Sequence, residues 1–207
     1  WSMPKVSVVD KTNNIWSIES VDDKKVYVGT DKGLYLADVE ALTFTLLLEP
    51  QQDLQEISYK SVYTVESDRD GNIWFGTKFN GAMFWSPKST DFFEISNLTS
   101  TPESQKLSSN IVWSLHQHKL GELWVGTENG LNKVDLSTGQ NQQFMKSDEV
   151  LPTYTQSHIR QIISVSDHEF WLLTGDGLRT FDTRDNTIGF FGEEGSETAD
   201  LFKAYSW

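Results

Sequence analysis

The sequence contains no cysteine, and this absence excludes several kinds of chemistry. Without a thiol there can be no disulfide, no thiolate metal site and no cysteine nucleophile. The compartment stays open, because cysteine-free proteins occur in the cytosol and in the periplasm. No run reaches the roughly 18–20 apolar residues that a membrane helix needs. The beginning, WSMPKVSVVD, has neither an initial Met nor a signal-peptide pattern, so we expect a segment of a longer protein.

Basic residues are scarce: 17 Lys and Arg stand against 30 Asp and Glu, for a formal net charge of −13. Binding to nucleic acid needs a basic face that neutralises phosphates, and no Lys/Arg cluster is present. The same charge repels an anionic membrane surface. We therefore expect no nucleic-acid partner, and membrane attachment only through segments outside this chain. An acidic, solubilising surface is the simplest interpretation of the charge.

Helical periodicity is also missing, since no segment of ten or more residues repeats its apolar positions every 3.6 residues. Aromatic residues make up 13% of the chain, with eight Trp and twelve Phe, and aromatics favour pleated, half-buried strands. Short apolar runs alternate with turns rich in Asp, Asn and Gly. The pattern predicts an all-β chain.

Four stretches of the chain share one pattern, an aromatic-bearing apolar run that ends at a turn and is followed by a second run. The aromatic recurs at intervals of 47, 50 and 47 residues, and an upstream run with a small or polar centre keeps the same intervals. Two columns with equal spacing indicate an internal repeat. The aromatic column is Tyr27, Trp74, Trp124 and Trp171, and the upstream column is Ser17, Thr64, Ser114 and Gln161.

Each repeat reads as four short antiparallel strands, and repeats of about 40–50 residues with four strands are typical of β-propeller blades. A lone blade is apolar on both faces, so stacking on the next blade buries them. The aromatic column would fill the space between blades, and the Gly that follows it would allow close backbone approach. The expected repeats span approximately residues 13–50, 60–97, 110–146 and 158–192.

The segments IWSI (15–18), DGNIWFGT (70–77) and VWSL followed by GELWVGTENGL (112–131) carry a family resemblance. They resemble the two-component regulator propeller repeat, which occurs in periplasmic sensor regions of hybrid histidine kinases and of some diguanylate cyclase signalling proteins. The resemblance covers roughly residues 13–192, and repeats two and three match best. Repeat four departs from the pattern, with Leu173 in place of the Gly and Arg160 in place of the first-strand aromatic.

The resemblance implies a ring of about seven blades, of which four are visible here. We expect residues 1–10 and 200–207 to be strands of neighbouring blades, so that the chain forms part of a larger ring. Closure by four blades alone, or by two chains completing each other, remains open. Unstacked end blades expose apolar faces, which predicts self-association.

Two motifs in the chain imitate metal sites. The segment DRDGN (68–72) starts like a calcium loop, but an EF-hand needs Gly at its sixth position and an acid at its twelfth, where Phe79 stands. We predict a tight turn there. The pair His116 and His118 lies on one face of a strand, yet His116 occupies the polar column of Glu19 and Glu66, so we predict no metal site.

Catalytic motifs are missing as well, because the chain contains no nucleophile elbow, no phosphate-binding Gly loop and no kinase motif. We predict no catalytic residue and no cofactor in this segment.

The loop GTKFNG (76–81) differs from the equivalent loops of the other repeats, and this difference suggests a binding site. The other well-matched loops hold two residues between Thr and Gly, whereas this loop holds three and adds an aromatic. Loops on one rim of a rigid scaffold carry function more often than core positions do. Phe79 contacts a ligand or simply covers an apolar edge. The candidate ligand- or partner-binding residues are Lys78, Phe79, Asn80, Asn14, Asp31, Lys32, Glu128, Asn129, Asp176, Asn110 and His158.

The function that the resemblance implies is non-catalytic: a periplasmic sensor domain of a transmembrane two-component-type protein, binding a small molecule such as an oligosaccharide or a periplasmic protein. A protein-interaction scaffold is the alternative, although the Gly-His and Trp-Asp signature of WD repeats is missing. A propeller enzyme such as a lyase or quinoprotein would need convergent catalytic groups, and none is visible.

Overall fold

A computed structural model describes residues 14–47, 61–68, 71–86, 92–145 and 157–192. The strands expected at residues 1–10 and 200–207 lie outside the described residues. Within the described ranges the regular structure is β-strand, apart from the three-residue 3-10 helix Glu103–Gln105. The prediction of an all-β chain is confirmed.

The described strands form four sheets, and each sheet consists of four antiparallel strands. We call these sheets blades 1 to 4 in chain order. The strands of blades 1 and 2 are β1 (Ile15–Ser20), β2 (Lys25–Thr30), β3 (Gly33–Asp38), β4 (Thr43–Leu46), β5 (Val62–Ser67), β6 (Ile73–Thr77), β7 (Ala82–Trp85) and β8 (Phe92–Ile95). Those of blades 3 and 4 are β9 (Val112–Lys119), β10 (Glu122–Thr127), β11 (Gly130–Asp135), β12 (Asn141–Phe144), β13 (Ile159–Ser164), β14 (Glu169–Thr174), β15 (Gly177–Asp182) and β16 (Thr187–Phe190).

The chain divides into two compact units, which we describe separately. Unit 1 comprises residues 1–96 and 110–112 and contains blades 1 and 2. Unit 2 comprises residues 97–109 and 113–207 and contains blade 4 and all of blade 3 except Val112, the first residue of β9.

Unit 1 has its core between blades 1 and 2, and this core is mainly aliphatic. The strand β6 is buried along its whole length, because a strand that is covered on both faces carries a continuous apolar run. The predicted packing role of the aromatic column holds for Tyr27, which lies in this cluster. The buried members are Tyr27, Leu34, Val62, Val65, Ile73, Phe75 and Met83.

Unit 2 has its core between blades 3 and 4, where aromatic rings pack around Trp124. The Trp124 ring lies 4.8 Å from the ring of Phe170, 5.8 Å from that of Phe181 and 5.8 Å from that of Phe144. These centroid distances fall in the range of favourable aromatic pairs. Trp124 is therefore a packing residue, as the repeat pattern predicts. Aliphatic side chains complete the buried cluster, namely Leu131, Ile159, Ile162 and Leu172.

The glycine of the repeat lies where the next blade comes closest. A Cβ atom on Gly126 would stand 2.2 Å from Ser114 Oγ and 2.5 Å from the Ile159 carbonyl oxygen, distances at which a methyl group cannot fit. Ser114 Oγ also donates to that same carbonyl at 3.0 Å. Gly29 and Gly76 are crowded in the same way. The glycine column is thus required by close blade-to-blade packing, as the sequence predicts.

Blade 4 differs at this position. Leu173 pairs with Gln161 across β13 and β14, where blades 1 and 2 pair Gly with Ser or Thr. The Leu173 side chain is 43% exposed. Blade 4 therefore presents a bulky side chain where the other three blades leave room for a neighbouring strand.

The segment before β9 is fastened to blade 3 by a buried amide. Asn132 is fully buried on β11, its Oδ1 accepts the Ser108 backbone N–H at 2.9 Å, and its Nδ2 donates to Ser108 Oγ at 2.8 Å. Asn141 Nδ2 adds a donor to Asn132 Oδ1 at 3.0 Å. Because a buried amide is stable only when its groups are paired, this network holds residues 106–108 against the outer strands of blade 3.

Candidate functional site

The loops between the second and third strands, which we call the hairpin tips, share one construction. In blades 1, 3 and 4 a Thr pairs directly with a Gly across a two-residue loop, and the Thr hydroxyl donates to the Gly carbonyl at 2.7–3.0 Å. In blade 2 the loop is one residue longer, yet Thr77 Oγ1 still donates to Gly81 O at 3.0 Å. The Thr therefore holds each tip rigidly, and the residues between Thr and Gly are presented on a defined scaffold.

The hairpin tips are also bonded to the chain that enters the following blade. In unit 1 the Gly81 N–H donates to the Asn110 carbonyl at 2.9 Å. In unit 2 the Gly130 N–H donates to the Ser157 carbonyl at 2.7 Å. Candidate residues of the tips and of the entering segments therefore lie together.

The tip of blade 1 is organised by Asp31. One carboxylate oxygen accepts Trp16 Nε1 at 2.6 Å and the other accepts Asn14 Nδ2 at 2.7 Å. Burial raises the pKa of Asp31, but the hydrogen bonds from Trp16 and Asn14 and the charge of Lys78 outweigh it and lower the pKa below its ordinary value. At neutral pH Asp31 is therefore ionised, and its carboxylate holds Asn14 and Trp16 in place by hydrogen bonds. The adjacent Lys32 is exposed.

The tip of blade 2 holds the long loop. Phe79 is 50% exposed, and Lys78 Nζ lies 5.2 Å from the centre of its ring, within range of a cation–π contact. Asn80 is 5% exposed, and its N–H donates to Thr77 Oγ1 at 2.8 Å. Among the described residues the Asn80 Oδ1 atom has no hydrogen-bond partner. This tip therefore combines an exposed aromatic face, a cation and an unsatisfied acceptor.

The tip of blade 3 brings Glu128 and His158 together, with Glu128 Oε1 3.6 Å from His158 Nε2. Burial, reinforced by the charge of Arg160, lowers the pKa of His158, and the opposing effect of Glu128 does not restore it. At neutral pH the contact is therefore between a carboxylate and a neutral imidazole. The Asn129 N–H donates to Thr127 Oγ1 at 3.1 Å, which orders the loop.

The tip of blade 4 is occupied by a partly buried ion pair between Asp176 and Arg179. Asp176 accepts a hydrogen bond from Arg179 Nε at 3.1 Å, and the Thr174 hydroxyl shares its one hydrogen between Asp176 Oδ1 at 2.6 Å and the Gly177 carbonyl at 2.7 Å. Burial raises the pKa of Asp176, but the bonds from Arg179 and Thr174 lower it to below its ordinary value. The Arg179 guanidinium also lies 4.1 Å from the Phe190 ring centre. With its carboxylate engaged in this way, Asp176 acts as a structural group.

The structure adds two residues that the sequence reasoning did not select. Trp16 and Tyr63 occupy the aromatic position of the first strand, and their rings meet edge to face at 5.0 Å across blades 1 and 2. Trp16 also holds Asp31, so it belongs to the surroundings of the blade 1 tip. The signal was present, because both residues directly precede the small residue of the repeat, but their contact joins positions 47 residues apart.

The two motifs that imitate metal sites have other roles. Asp68 accepts the Asn72 N–H and Asn72 Nδ2, each at 2.8 Å, and Gly71 has φ of +77°, so these residues form a turn. Within the described part of the chain no three His, Asp or Glu side chains lie close enough to hold a metal ion. In the same ranges no helix has the length and apolarity needed to cross a bilayer.

Sequence comparison identifies the repeat. The profile of the two-component regulator propeller matches residues 56–79 and 106–129, stretches that include the β5–β6 and β9–β10 hairpins. The chain is also similar to histidine kinase P4 of Formosa agariphila, with 32% identity over 128 residues. That similarity covers 61% of this chain but 9% of the kinase, so the chain spans a small part of this relative.

Solved structures with the same fold include two extracellular domains from B. thetaiotaomicron. The domain of the hybrid two-component system BT3049 is 19% identical, with a TM-score of 0.70, over 90% of this chain and 24% of that one. The domain of the one-component system BT4673 is 21% identical, with a TM-score of 0.62, over 85% and 22%. The WD40 propeller of Doa1 is 14% identical, with a TM-score of 0.51, over 86% and 68%. Two stretches of the chain therefore match the two-component regulator propeller repeat, and the described strands fold as the four-stranded blades of a β-propeller.

Proposed function

We propose that this chain is a non-catalytic sensing segment of a signalling protein, placed outside the cytoplasm and exposing its hairpin tips to a ligand. The repeat family and the extracellular neighbours support this placement. The kinase relative supports a two-component output elsewhere in the full-length protein. The described residues supply a rigid scaffold with exposed polar loops, which suits recognition rather than catalysis.

The observation that carries the proposal is the tip of blade 2. It is the longest of the four described tips, and it exposes half of an aromatic ring beside a lysine. An exposed ring beside a cationic group binds a sugar face by stacking, while Lys78 donates hydrogen bonds to its hydroxyl groups. The ligand class that we propose is an oligosaccharide.

A sensor must also convert binding into a change of state, and the tip geometry offers a route. The Lys78 N–H donates to the Ser61 carbonyl at 3.1 Å, and the Gly81 N–H donates to the Asn110 carbonyl. The blade 2 loop is therefore bonded both to the residue before β5 and to the segment before β9. A ligand that prefers one arrangement of this joint shifts the equilibrium of the protein by its difference in affinity for the two states.

The test is a binding measurement with a loop variant and a matched control. We expect an oligosaccharide from a structurally diverse panel to raise the melting temperature of the 207-residue chain, with affinity confirmed by calorimetry. Phe79→Ala should weaken binding about tenfold, because losing a buried aromatic contact costs at least ~1.4 kcal/mol. Leu120→Ala removes a more exposed apolar side chain, 81% exposed, in the β9–β10 turn, and should leave the affinity unchanged.

Two outcomes would change the conclusion. A protein partner that binds through Phe79, with no oligosaccharide binding, would favour the scaffold function over the sugar sensor. Oligosaccharide binding that is equally strong in wild type and Phe79→Ala would move the site away from the blade 2 tip. Deleting Phe79, which restores the two-residue loop of the other blades, provides a second variant with the Thr77 bonds available.

A further inference from the structure

Two histidines of blade 3 reach across to blade 4. His116 Nε2 lies 3.1 Å from Ser164 Oγ at the end of β13, and His118 Nε2 lies 3.2 Å from the Asp167 carbonyl oxygen in the following turn. A carbonyl oxygen only accepts, so His118 donates in this bond. The pair therefore ties one strand of blade 3 to two consecutive points of blade 4.

Both imidazoles pack against an aromatic ring in the core. Phe170 is fully buried, and its ring centre lies 6.0 Å from that of His116 and 4.9 Å from that of His118. The two imidazole centres are 6.1 Å apart. Two positive charges at this separation repel each other, and His116 has lost part of its hydration, so the site favours the form in which His116 is neutral.

Unit 1 has a different residue, Glu19, at the repeat position that His116 occupies in unit 2. Glu19 on blade 1 occupies the column of His116, and its Oε1 accepts hydrogen bonds from Ser67 Oγ and from the Ser67 N–H of blade 2, the latter at 3.2 Å. Both contacts join residues 48 positions apart. The chain therefore uses one type of inter-blade contact twice, once with a carboxylate and once with a histidine.

We propose that His116 and His118 form an acid-sensitive clasp between blades 3 and 4, which is closed at neutral pH and loosens when His116 takes up a proton. The bond from His118 persists in either protonation state, because its Nε2 keeps its hydrogen. Protonated His116 also keeps a hydrogen for Ser164 Oγ, so the weakening comes from the charge itself: it lies in a partly buried site beside a second imidazole, and separation of β13 from β9 lets water reach it. This adds a response to external pH that is independent of any ligand.

The direction of the pH dependence follows from the pKa of His116. Burial, and then the charge of His118, lower this pKa below its ordinary value of 6.5. A base with a lowered pKa contributes its stability fully above the ordinary pKa and loses it as the pH falls through the lowered value. The other titratable groups on the elements packed against the pair are Lys119, Glu122, Arg160, Asp167, His168 and Glu169.

Hydrogen exchange of the β13 segment in the 207-residue chain tests the clasp, with rates compared at pH values of about 7.5 and 5.0, on either side of the ordinary histidine pKa. After correction for intrinsic rates, we expect protection of residues 159–164 to fall about fivefold or more at the lower pH in the wild type. His116→Gln keeps a donor for Ser164 but does not titrate, so its protection should change little. His116→Glu imitates unit 1, and its acid response should move below a pH of about 5.

The exposed His168 supplies the control, since His168→Gln should keep the wild-type response. An equal loss of protection in wild type and His116→Gln would overturn the proposal. A titration of the wild type by NMR needs no variant. It supports the clasp if His116 titrates below the ordinary histidine pKa, and it overturns the clasp if His116 titrates at or above that value.

Discussion

The blade 1–blade 2 junction of unit 1 and the blade 3–blade 4 junction of unit 2 are built on the same repeat but filled differently. Each pairs a crowded glycine with a serine on the neighbouring strand, Gly29 with Ser17 and Gly126 with Ser114. Each core contains four buried aliphatic side chains, but unit 1 adds Tyr27, Phe75 and Met83 to them, whereas unit 2 adds Trp124 in ring contact with Phe170 and Phe181. The backbone spacing is thus common to both junctions, and the side chains decide how each one is stabilised.

The largest expected effect is at the aromatic column. Trp124→Ala should lower the free energy of unfolding by about 3–5 kcal/mol, because it empties a space enclosed by three phenylalanine rings. Tyr27→Ala, at the same column of unit 1, should cost less, since Tyr27 is smaller and its neighbours are mostly aliphatic. Urea denaturation followed by circular dichroism measures both losses. Equal losses would mean that the aromatic cluster adds nothing to ordinary burial.

The second expected effect concerns the glycine column. Gly126→Ala should destabilise the protein by about 1–3 kcal/mol, since its methyl group would meet the Ile159 carbonyl, which cannot move without shifting β13. Leu173→Ala is the matched control in blade 4, and we expect a change within about 0.5 kcal/mol because the side chain is 43% exposed. Thermal denaturation distinguishes the two variants. A neutral Gly126→Ala would show that the blades do not pack this closely.

The smallest expected effect is the difference in stability between the variants Ser114→Ala and Ser17→Ala. Ser114→Ala should cost about 1 kcal/mol, because the Ile159 carbonyl loses its hydroxyl donor. Ser17 Oγ is buried without a hydrogen-bond partner in the described residues, so Ser17→Ala removes an unsatisfied group and should be neutral or slightly stabilising. Denaturation midpoints of the two variants measure the difference. A loss at Ser17 as large as that at Ser114 would contradict the assignment of this hydrogen bond to unit 2 alone.

The packing positions within each blade were predictable from the sequence, because the same packing requirement recurs in every repeat and so gives a repeated pattern of residues. The positions of Trp124 and Gly126 in the pattern predicted a buried ring and a close approach, and both are observed. The extra residue of the blade 2 loop was also visible by comparison with the other tips. The exposures of its residues were not predictable: Phe79 is half exposed while Asn80 is buried, and the exposure of a side chain depends on its neighbours in space.

The contacts between repeats were not predictable. The repeat pattern puts His116 in the polar column with Glu19. Its partner Ser164 is 48 residues away, however, and no local pattern predicts that hydrogen bond. The network around Asn132 likewise depends on a preceding segment outside the hairpins. Such pairs arise only when blades stack and bring equivalent positions of successive repeats side by side.

The sequence by itself determined the four-stranded blade, its period and the residues that fill and space the blades, since these follow from alternation, turn chemistry and repetition along the chain. The tertiary structure alone decided which polar side chains meet, namely Asp31 with Trp16, Glu128 with His158 and the two histidines with blade 4. The physical reason is that hydrogen bonds and charges act over a few ångströms in space, and stacking the blades sets those distances.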